Sequence, residues 1–583
     1  MTHRRSAASS DGLALNRRRF LECLSGLGLG GTLLPGTLLA VAQGAERVTP
    51  AMLASAAAIA GLAFTDAELG TVAESLNGDR SILDSFDVIQ MQALVNGESP
   101  ALVFNPLPPG MALPTETRPF RRSEAEVSRP RTDEDLAFLP VTHLARLIER
   151  RDVSSTDLTR LYLSRLKAFD ASLHCVVTLT EELALAQARR ADAEIAAGRY
   201  KGPLHGIPWG AKDLLAVRGY PTTWGASPYR DRVIDADATV FARLTEAGAV
   251  LVAKLSMGAL AQGDRWFGGM TRNPWNTDQG SSGSSAGPGA ATAAGLVGFS
   301  IGTETRGSIM SPSGRCGVTG LRPTFGRVSR HGAMALSWTM DKIGPMCRSA
   351  EDCALVLHVI NGPDGFDRSV FDVPFNWDAH ADPSRLRVAY LRDAFEAEIV
   401  EDPANPEAAP RAREQRELDT RALDVLRAIG IVPRPIDLPD LPTEALGFIL
   451  TTEAAAAFDD LTRSDRTESM LAEPESSRWP DAFRLHRFVP AVAYLQANRV
   501  RSRLIAAMQE AFSEIDLFVG SDLGLTNLTG HPEICLPHGF RTDGTPTSLR
   551  FTGALFGDAD LVLLADAYQR RTDHHLKRPP LRL

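Results

Sequence analysis

The chain has 583 residues and a formal net charge of −9 at pH 7, from 62 basic and 71 acidic side chains. This acidic balance argues against non-specific binding to nucleic acid. The six cysteines are scattered without metal-ligand spacing, so the composition predicts no metal site, although a single disulfide stays possible.

The N-terminus has the layout of an export signal. Asn16-Arg-Arg-Arg-Phe-Leu21 precedes an uncharged run, residues 23–42, which ends in Ala40-Val-Ala42. A basic segment, a modestly apolar stretch and an A-x-A site are typical of a twin-arginine (Tat) signal peptide. We therefore predict a signal over residues 1–42 and a periplasmic or secreted bacterial protein. An uncleaved anchor is the alternative, because the run is long enough to span a membrane.

Residues 43–134 are predicted to form an N-terminal helical extension and linker. Residues 53–94 are expected to be helical, with a capping box at Thr65-Asp-Ala-Glu68. The stretch 105–135 is rich in proline and charge and reads as the linker. One large domain is then predicted over residues 135–583.

Helices and strands alternate through this domain. Ser154-Ser-Thr-Asp157 opens a helix with an apolar face, and residues 174–179 alternate as a strand. Further segments follow in the same order: helices at 180–197 and 238–247, strands at 249–253, 386–391 and 517–520, and helices at 413–429, 453–471, 479–497 and 494–512. The pattern predicts an α/β fold in which helices cover a central sheet. The helices 453–471 and 479–497 either line a pocket or simply contribute aromatic core.

Lysine is rare in this chain and therefore informative. It occurs only at positions 167, 201, 212, 254, 342 and 577. A buried lysine loses its proton readily, whereas arginine does not. Lys212 lies in an apolar segment punctuated by glycine and proline, so it is the candidate base. The plainer alternative is that Lys212 pairs with the adjacent Asp213.

Two serines lie 24 positions apart in glycine-rich loops. They are Ser284 in Gly280-Ser-Ser-Gly-Ser-Ser-Ala-Gly287 and Ser308 in Gly302-Thr-Glu-Thr-Arg-Gly-Ser-Ile309. A serine hydroxyl needs a partner that removes its proton before it attacks a carbonyl. The pair, together with Lys212, indicates a hydrolase.

A second motif overlaps the first loop. Gly283-Ser-Ser-Ala-Gly287 fits the G-x-S-x-G elbow, with Ser285 as nucleophile. That elbow must follow a buried strand, but the preceding residues 272–280 are polar and broken by proline. The histidines at 531, 538, 574 and 575 could suggest a histidine-based triad, although their surroundings read as loop.

These motifs together resemble the amidase signature family. The resemblance rests on Gly206-Ile-Pro-Trp-Gly-Ala-Lys-Asp213, Arg272-Asn-Pro-Trp-Asn276, the two serine loops and Cys316-Gly-Val-Thr-Gly-Leu-Arg-Pro-Thr324, in order and in spacing. It covers residues 135–580. It implies the amidase-signature fold, a large twisted mixed β-sheet with helices on both faces.

The resemblance also implies roles for single residues. Ser308 corresponds to the nucleophile, Ser284 to a bridging serine after a cis peptide bond, and Lys212 to the base, while Ser281, Ser282 and Ser285 are expected to be bystanders. Backbone N–H groups of Thr305, Arg306, Gly307 and Ser308 are expected to form the oxyanion hole. No metal and no organic cofactor is implied.

Arg306 departs from the family, which usually has glycine there. Its guanidinium is expected to bind an acidic or polar substrate; the plainer alternative is a solvated side chain or an ion pair with Glu304.

The implied activity is that of an exported bacterial amidase, hydrolysing a small-molecule or peptide carboxamide to an acid and ammonia or an amine. After signal removal, no stable membrane insertion and no nucleic-acid partner is expected. Two alternatives stay open: the glutaminase-type component of a tRNA amidotransferase, which works with partner subunits, and a non-catalytic binding protein with the same fold.

Overall fold

The computed structural model of the protein describes residues 47–59, 61–78, 94–124, 126–464, 466–471 and 479–581. The predicted signal over residues 1–42 lies outside these residues. Within them, no helix combines the length and the hydropathy that a bilayer crossing needs.

The secondary structure of the described residues is given in chain order. The α-helices are α1 Pro50–Ile59, α2 Asp66–Asn77, α3 Asp133–Ala137, α4 Val141–Glu149, α5 Ser155–Leu173, α6 Glu181–Ala196, α7 Thr239–Glu246, α8 Ala286–Ala293, α9 Met310–Cys316, α10 Ala350–Ile360, α11 Arg392–Glu396, α12 Ala408–Ala428, α13 Phe448–Ala457, α14 Asp459–Arg463, α15 Glu468–Leu471, α16 Trp479–His486, α17 Ala491–Ala511, α18 Leu523–Thr529 and α19 Asp558–Gln569. The strands are β1 Val176–Leu179, β2 Pro208–Lys212, β3 Val250–Leu255, β4 Arg265–Trp266, β5 Gly269–Met270, β6 Arg272–Asn273, β7 Asn276–Gly280, β8 Phe299–Glu304, β9 Thr319–Arg322, β10 Lys342–Cys347, β11 Val388–Leu391, β12 Arg434–Ile436, β13 Leu517–Val519, β14 Glu533–Phe540 and β15 Pro546–Gly553.

Eleven strands form one mixed sheet, in the order β1-β3-β2-β8-β10-β9-β14-β15-β13-β11-β12. Strand β2 runs parallel to both β3 and β8, and β11 runs parallel to β12 and β13. The other neighbouring pairs in this sheet are antiparallel. The predicted α/β class with a large mixed sheet is confirmed.

Both faces of the central strands are buried. In β3, Val250 and Val252 pack into the cluster built around α5, α6 and α8, whereas Leu251 packs into the largest core cluster with Trp209 and Phe299. Successive side chains of a strand point to opposite faces, so the sheet has an apolar layer on each side at this point. A rigid, fully buried sheet centre therefore carries the residues at the ends of β2 and β8.

Several element predictions need correction at their ends. The expected helix over 53–94 is two helices, α1 and α2, separated at Gly61, where φ is +68°; residues 79–93 lie outside the described part. The predicted Thr65–Glu68 capping box is present at the start of α2. The predicted helix over 479–497 is wrong, because Pro490 caps a new helix, α17. The predicted helix over 453–471 is likewise divided into α13, α14 and α15.

Part of the N-terminal extension packs beside the sheet. Asn96 exchanges hydrogen bonds with the main chain of Ala335: its Nδ2 donates to the carbonyl oxygen at 2.8 Å and its Oδ1 accepts from the amide at 2.8 Å. Phe104 meets the ring of Phe325 edge to face, with centroids 5.0 Å apart. The guanidinium of Arg501 lies 3.6 Å from the Phe104 centroid. These contacts hold residues 94–104 against the main domain.

Candidate active site

Lys212 is the last residue of β2, at the carboxyl end of this central parallel strand. The β2–β8 register pairs Ala211 with Ile301, which brings Lys212 beside Gly302 and Thr303 at the end of β8. Its side chain is completely buried. A lysine in such a place must have every ammonium hydrogen bond supplied by the protein.

Three hydroxyls surround the Lys212 Nζ atom. It lies 2.9 Å from Ser284 Oγ, 3.0 Å from Ser285 Oγ and 2.9 Å from Thr303 Oγ1. Burial lowers the pKa of Lys212 to about 7, although Asp341 and Glu304 act in the opposite direction. Near neutral pH a large share of the lysine is therefore the free amine, which is able to accept a proton.

Asp213 does not pair with Lys212. Its Oδ1 atom lies 2.7 Å from Lys254 Nζ, and both side chains are fully buried. Its Oδ2 atom accepts from the amide of Thr223 at 3.0 Å. The plainer interpretation of Lys212, as the partner of its neighbour, is therefore wrong, because strand alternation sends the two side chains in different directions.

The loop before α8 carries Ser284. The Gly283–Ser284 peptide bond is cis, as the family resemblance implies. A Cβ at Gly283 would lie 1.8 Å from the carbonyl oxygen of Gly263, so only glycine fits. The Ser284 carbonyl accepts a hydrogen bond from the amide of Gly258 at 3.3 Å. This hydrogen bond ties the loop to the main chain at Gly258.

Ser285, expected to be a bystander, also contacts Lys212. Besides contacting Lys212, its hydroxyl lies 3.1 Å from both the carbonyl oxygen and the amide nitrogen of Thr303. A Cβ at Gly302 would lie 2.8 Å from Ser285 Oγ, so the glycine leaves room for this hydroxyl. A run of adjacent serines does not tell which hydroxyls face the lysine, and sequence reasoning missed this one.

The alternative G-x-S-x-G elbow fails on its context. The segment before the loop, Asn276–Gly280, pairs with β6 in a small two-stranded sheet, and none of its residues is buried. A nucleophile elbow needs a buried strand of the main sheet at that place. Two of the four candidate histidines are engaged with other side chains: His531 bonds Thr529, and His538 bonds Tyr568.

Ser308 lies in the turn between β8 and α9 and is partly exposed. Gly307 has φ of +90°, a left-handed conformation that favours glycine. In the described part of the chain, no oxygen accepts a hydrogen bond from the amides of Arg306, Gly307 or Ser308. The Ser308 carbonyl accepts from the amide of Ser285 at 3.1 Å, which ties the two serine loops together.

Glu304 fixes both ends of this turn. Its Oε2 atom accepts from the amides of Ile309 and Met310 at 2.8 and 3.0 Å, and its Oε1 atom lies 2.7 Å from Arg322 Nη1. Burial opposes its ionisation, yet Arg322 and these amides hold the pKa of Glu304 at about 2. Because this buried carboxylate binds main-chain amides with one oxygen and Arg322 with the other, it restricts the Ser308 turn to a single conformation.

Arg306 points away from Glu304. Its Nη2 atom lies 3.0 Å from Glu444 Oε1, with side-chain exposures of 40% and 83%. The plainer interpretation, an ion pair with Glu304, is therefore wrong in its partner, because Glu304 is committed to Arg322. An exposed pair of this kind contributes between 0 and about 1 kcal/mol to stability.

A cavity of about 940 Å³ adjoins the site. Thr303 and Thr305 line it on the side of Lys212, and residues 95–104 of the N-terminal extension form part of its wall. The Thr305 hydroxyl donates to Asp341 Oδ1 at 2.6 Å. This hydrogen bond fixes the side chain of Thr305, which both lines the cavity and begins the Ser308 turn. The cavity is large enough for a drug-sized molecule.

Neither a metal cluster nor a disulfide occurs in the described part of the chain. Among these residues, no group of three or more His, Cys, Asp or Glu side chains is placed to hold a metal. The cysteines at 175, 316, 347, 353 and 535 are unpaired and buried.

A sequence model described as Amidase matches residues 157–521. The chain belongs to the amidase family. The predicted membership of the amidase signature family is thereby confirmed, and with it the predicted enzyme class, an amidase.

Several relatives and solved structures are similar to this amidase over most of its length. It is 34% identical to the glutamyl-tRNA(Gln) amidotransferase A chain of Roseiflexus sp. (strain RS-1), with 76% of this chain and 98% of the relative aligned. Among solved structures, the native peptide amidase of Stenotrophomonas maltophilia superimposes with a TM-score of 0.65 at 29% identity, covering 76% of this chain and 98% of that one. A bacterial aryl acylamidase shares the fold, with a TM-score of 0.67 at 21% identity over 76% and 99% of the two chains.

Proposed function

We propose that this amidase hydrolyses a carboxamide through Lys212, Ser284 and Ser308. The neutral amine of Lys212 takes the hydroxyl proton of Ser284, and Ser284 takes the proton of Ser308 as its Oγ attacks the amide carbon. The contact that carries the proposal is the 2.9 Å distance between Lys212 Nζ and Ser284 Oγ, whose side chains are both buried.

The charge that develops on the amide oxygen would be met by backbone N–H groups of the turn from Thr305 to Ser308. Donors that are already oriented and unengaged stabilise such an oxyanion without reorganisation. The proton held by Lys212 and Ser284 then passes to the leaving nitrogen, and ammonia or an amine departs from an acyl-Ser308 ester. Water hydrolyses the ester by the reverse relay, which releases the acid and restores all three groups.

The proposal is tested by ammonia release from a panel of primary amides. The panel holds C-terminally amidated dipeptides, aromatic amides and glutamine, each assayed with the purified chain and with its Ser308→Ala variant. Release by the native chain and none by the variant is the expected result. Equal release by both chains would overturn the assigned nucleophile, and release by neither would overturn the reaction on these substrates.

A glutaminase-type role is the second candidate, because the Roseiflexus relative is a component of a glutamyl-tRNA(Gln) amidotransferase. The panel separates the two roles. Hydrolysis of glutamine alone, increased by partner subunits, would favour this candidate, whereas hydrolysis of other amides by the isolated chain favours a free-standing amidase.

Arg306 is proposed to bind an anionic group on the amine side of the substrate, since it adjoins the Ser308 turn but does not line the cavity. We expect Arg306→Ala to lower kcat/KM for an N-acylglycine relative to the matching N-ethyl amide by about fivefold, the size of an exposed charge contact. Glu444→Gln, which frees the guanidinium, should raise the same ratio. An unchanged ratio in both variants would remove Arg306 from substrate binding.

We also propose that the chain is exported by the twin-arginine route, a proposal supported by Asn16-Arg-Arg-Arg-Phe-Leu21 and the A-x-A site ending at Ala42. Expression in a bacterium with that route should yield a periplasmic chain whose N-terminal residue, read by mass spectrometry, is Gln43. Replacing Arg17 and Arg18 with lysine should retain it in the cytoplasm. A periplasmic chain that still begins at its first residues would support the uncleaved anchor instead.

A further inference from the structure

The cavity beside the site carries more cationic than acidic side chains, although the whole chain is acidic. Five cationic side chains line it: Arg232, Arg330, Lys342, Arg368 and Arg466. Three acidic side chains line it: Asp341, Asp367 and Asp460. Which of these charges is free decides what the cavity can bind.

Most of them are neutralised by one another. Arg330 lies 2.9 Å from Asp367, and Arg466 lies 2.7 Å from Asp460. Asp341 accepts from Thr305 and from two main-chain amides. None of the three carboxylates is therefore left to attract a cation.

The buried lysine of the lining is also engaged. Lys342 donates to the carbonyl oxygen of Met340, and burial lowers its pKa well below the usual range. Arg368 lies at the exposed rim. Among the cations inside the cavity, this leaves Arg232.

Arg232 is held rigidly but has no ion-pair partner among the described residues. Its Nε and Nη2 atoms both donate to the carbonyl oxygen of Thr222, at 3.2 and 2.7 Å. Its guanidinium carbon lies 3.4 Å from the ring centroid of Trp224 and 4.4 Å from that of Tyr229. Burial lowers the pKa of Arg232 to about 10, so it keeps its charge at neutral pH.

This guanidinium is preorganised to bind an anion. The two rings and the carbonyl fix its plane. Among the residues that the structure describes, none accepts a hydrogen bond from its Nη1 atom. A planar fork of N–H donors with a fixed orientation matches a carboxylate well. Thr303, whose hydroxyl lies 2.9 Å from Lys212 Nζ, and Thr305, at the start of the Ser308 turn, line the same cavity as Arg232.

Resting on the proposed function, we infer that the substrate is an acidic amide, with a carboxylate at the end remote from the carboxamide, and that Arg232 binds this carboxylate inside the cavity. The amide would lie at Ser308 and the carboxylate against Arg232, with the connecting chain along the cavity.

The test uses monoamides of linear dicarboxylic acids of increasing length. Each is compared with the same amide ending in an isopropyl group, which has the shape of a carboxylate without its charge. We expect the wild-type chain to prefer the acidic member by about ten- to a hundredfold in kcat/KM, the size of a charge-assisted hydrogen bond, with the largest preference at one chain length. Arg232→Gln should remove this preference, and Arg232→Lys should keep part of it.

Arg230→Gln is the matched control. Arg230 also lies over an aromatic ring, 4.6 Å from the Phe267 centroid, but it does not line the cavity. This variant should keep the wild-type preference. A wild-type chain without any preference, or an Arg232→Gln variant that slows both members of each pair equally, would overturn the inference.

A second measurement does not depend on hydrolysis. Calorimetry with the Ser308→Ala variant should show tighter binding of the acidic monoamides than of their isopropyl counterparts, and this difference should disappear in the Ser308→Ala, Arg232→Gln double variant. If the chain hydrolyses none of the amides yet shows this binding pattern, the subsite stands and the proposed reaction fails. Equal affinities in the presence of hydrolysis would overturn the subsite alone.

Discussion

Replacing Ser308 with alanine should lower kcat/KM for every amide that the chain hydrolyses by about four orders of magnitude or more, because the proposed acyl ester forms on the Ser308 hydroxyl. Hydroxylamine added to the wild-type reaction should divert the acyl group to a hydroxamate. The variant should form no hydroxamate. Initial rates of ammonia release and mass spectrometry of the trapped product measure the two effects.

Ser282→Ala is the control for this experiment. Ser282 lies in the neighbouring loop, where its amide donates to Asp264 at 2.9 Å, and the substitution leaves this main-chain contact in place. We expect it to keep the wild-type rate within a few-fold. A Ser308→Ala variant that retains a tenth of the rate would show that another group attacks the amide.

Loss of the Lys212 amine should be nearly as severe. Lys212→Met removes the proton acceptor, and Lys212→Arg replaces it with a group that stays charged, so both should lower kcat/KM by about three orders of magnitude or more. If Lys212 acted only through its positive charge, Lys212→Arg would keep much of the activity. Equal losses in Lys212→Met and Lys212→Arg would therefore indicate a proton-accepting role. Lys201→Met, at a surface pair with Glu194, is the lysine control.

The pH profile follows from the same lysine. Burial lowers the pKa of Lys212 to about 7, so the amine is free above this pH and protonated below it. kcat/KM of the wild-type chain should therefore fall as pH decreases through about 7, and the residual activity of Lys212→Met should lack this limb. A wild-type profile that is flat between pH 5 and 9 would contradict a neutral lysine base.

Local sequence signals predicted much of the fold. Ser154 accepts from the amide of Asp157 at the start of α5, as a capping residue should, and the short apolar runs near residues 176 and 250 are strands. Errors occurred where a single residue interrupts a pattern that is otherwise helical. Gly61 lies in the break between α1 and α2, and Pro490 is the N-cap of α17, four residues after α16 ends. The effect of such residues depends on backbone geometry more than on average composition.

The family resemblance predicts Lys212, Ser284 and Ser308 as the members of the site, and the structure places the first two in direct contact. Other contacts of the site could not be predicted. The contact between Ser285 and Lys212 depends on side-chain direction within the loop, and the Arg306–Glu444 pair joins residues 138 positions apart. Sequence spacing carries no information on either.

The wall that residues 95–104 contribute has a practical consequence for anyone who expresses or redesigns this protein. The segment lies well before residue 157, where the family match begins. A recombinant fragment cut to that match would carry the lysine and both serines, yet its binding chamber would be open along one flank. The substrate range measured on such a fragment would be that of the shortened chain and not of the full one. Mutant libraries designed to alter substrate selectivity should therefore include Asn96, which holds the segment in place, as well as residues of the main domain.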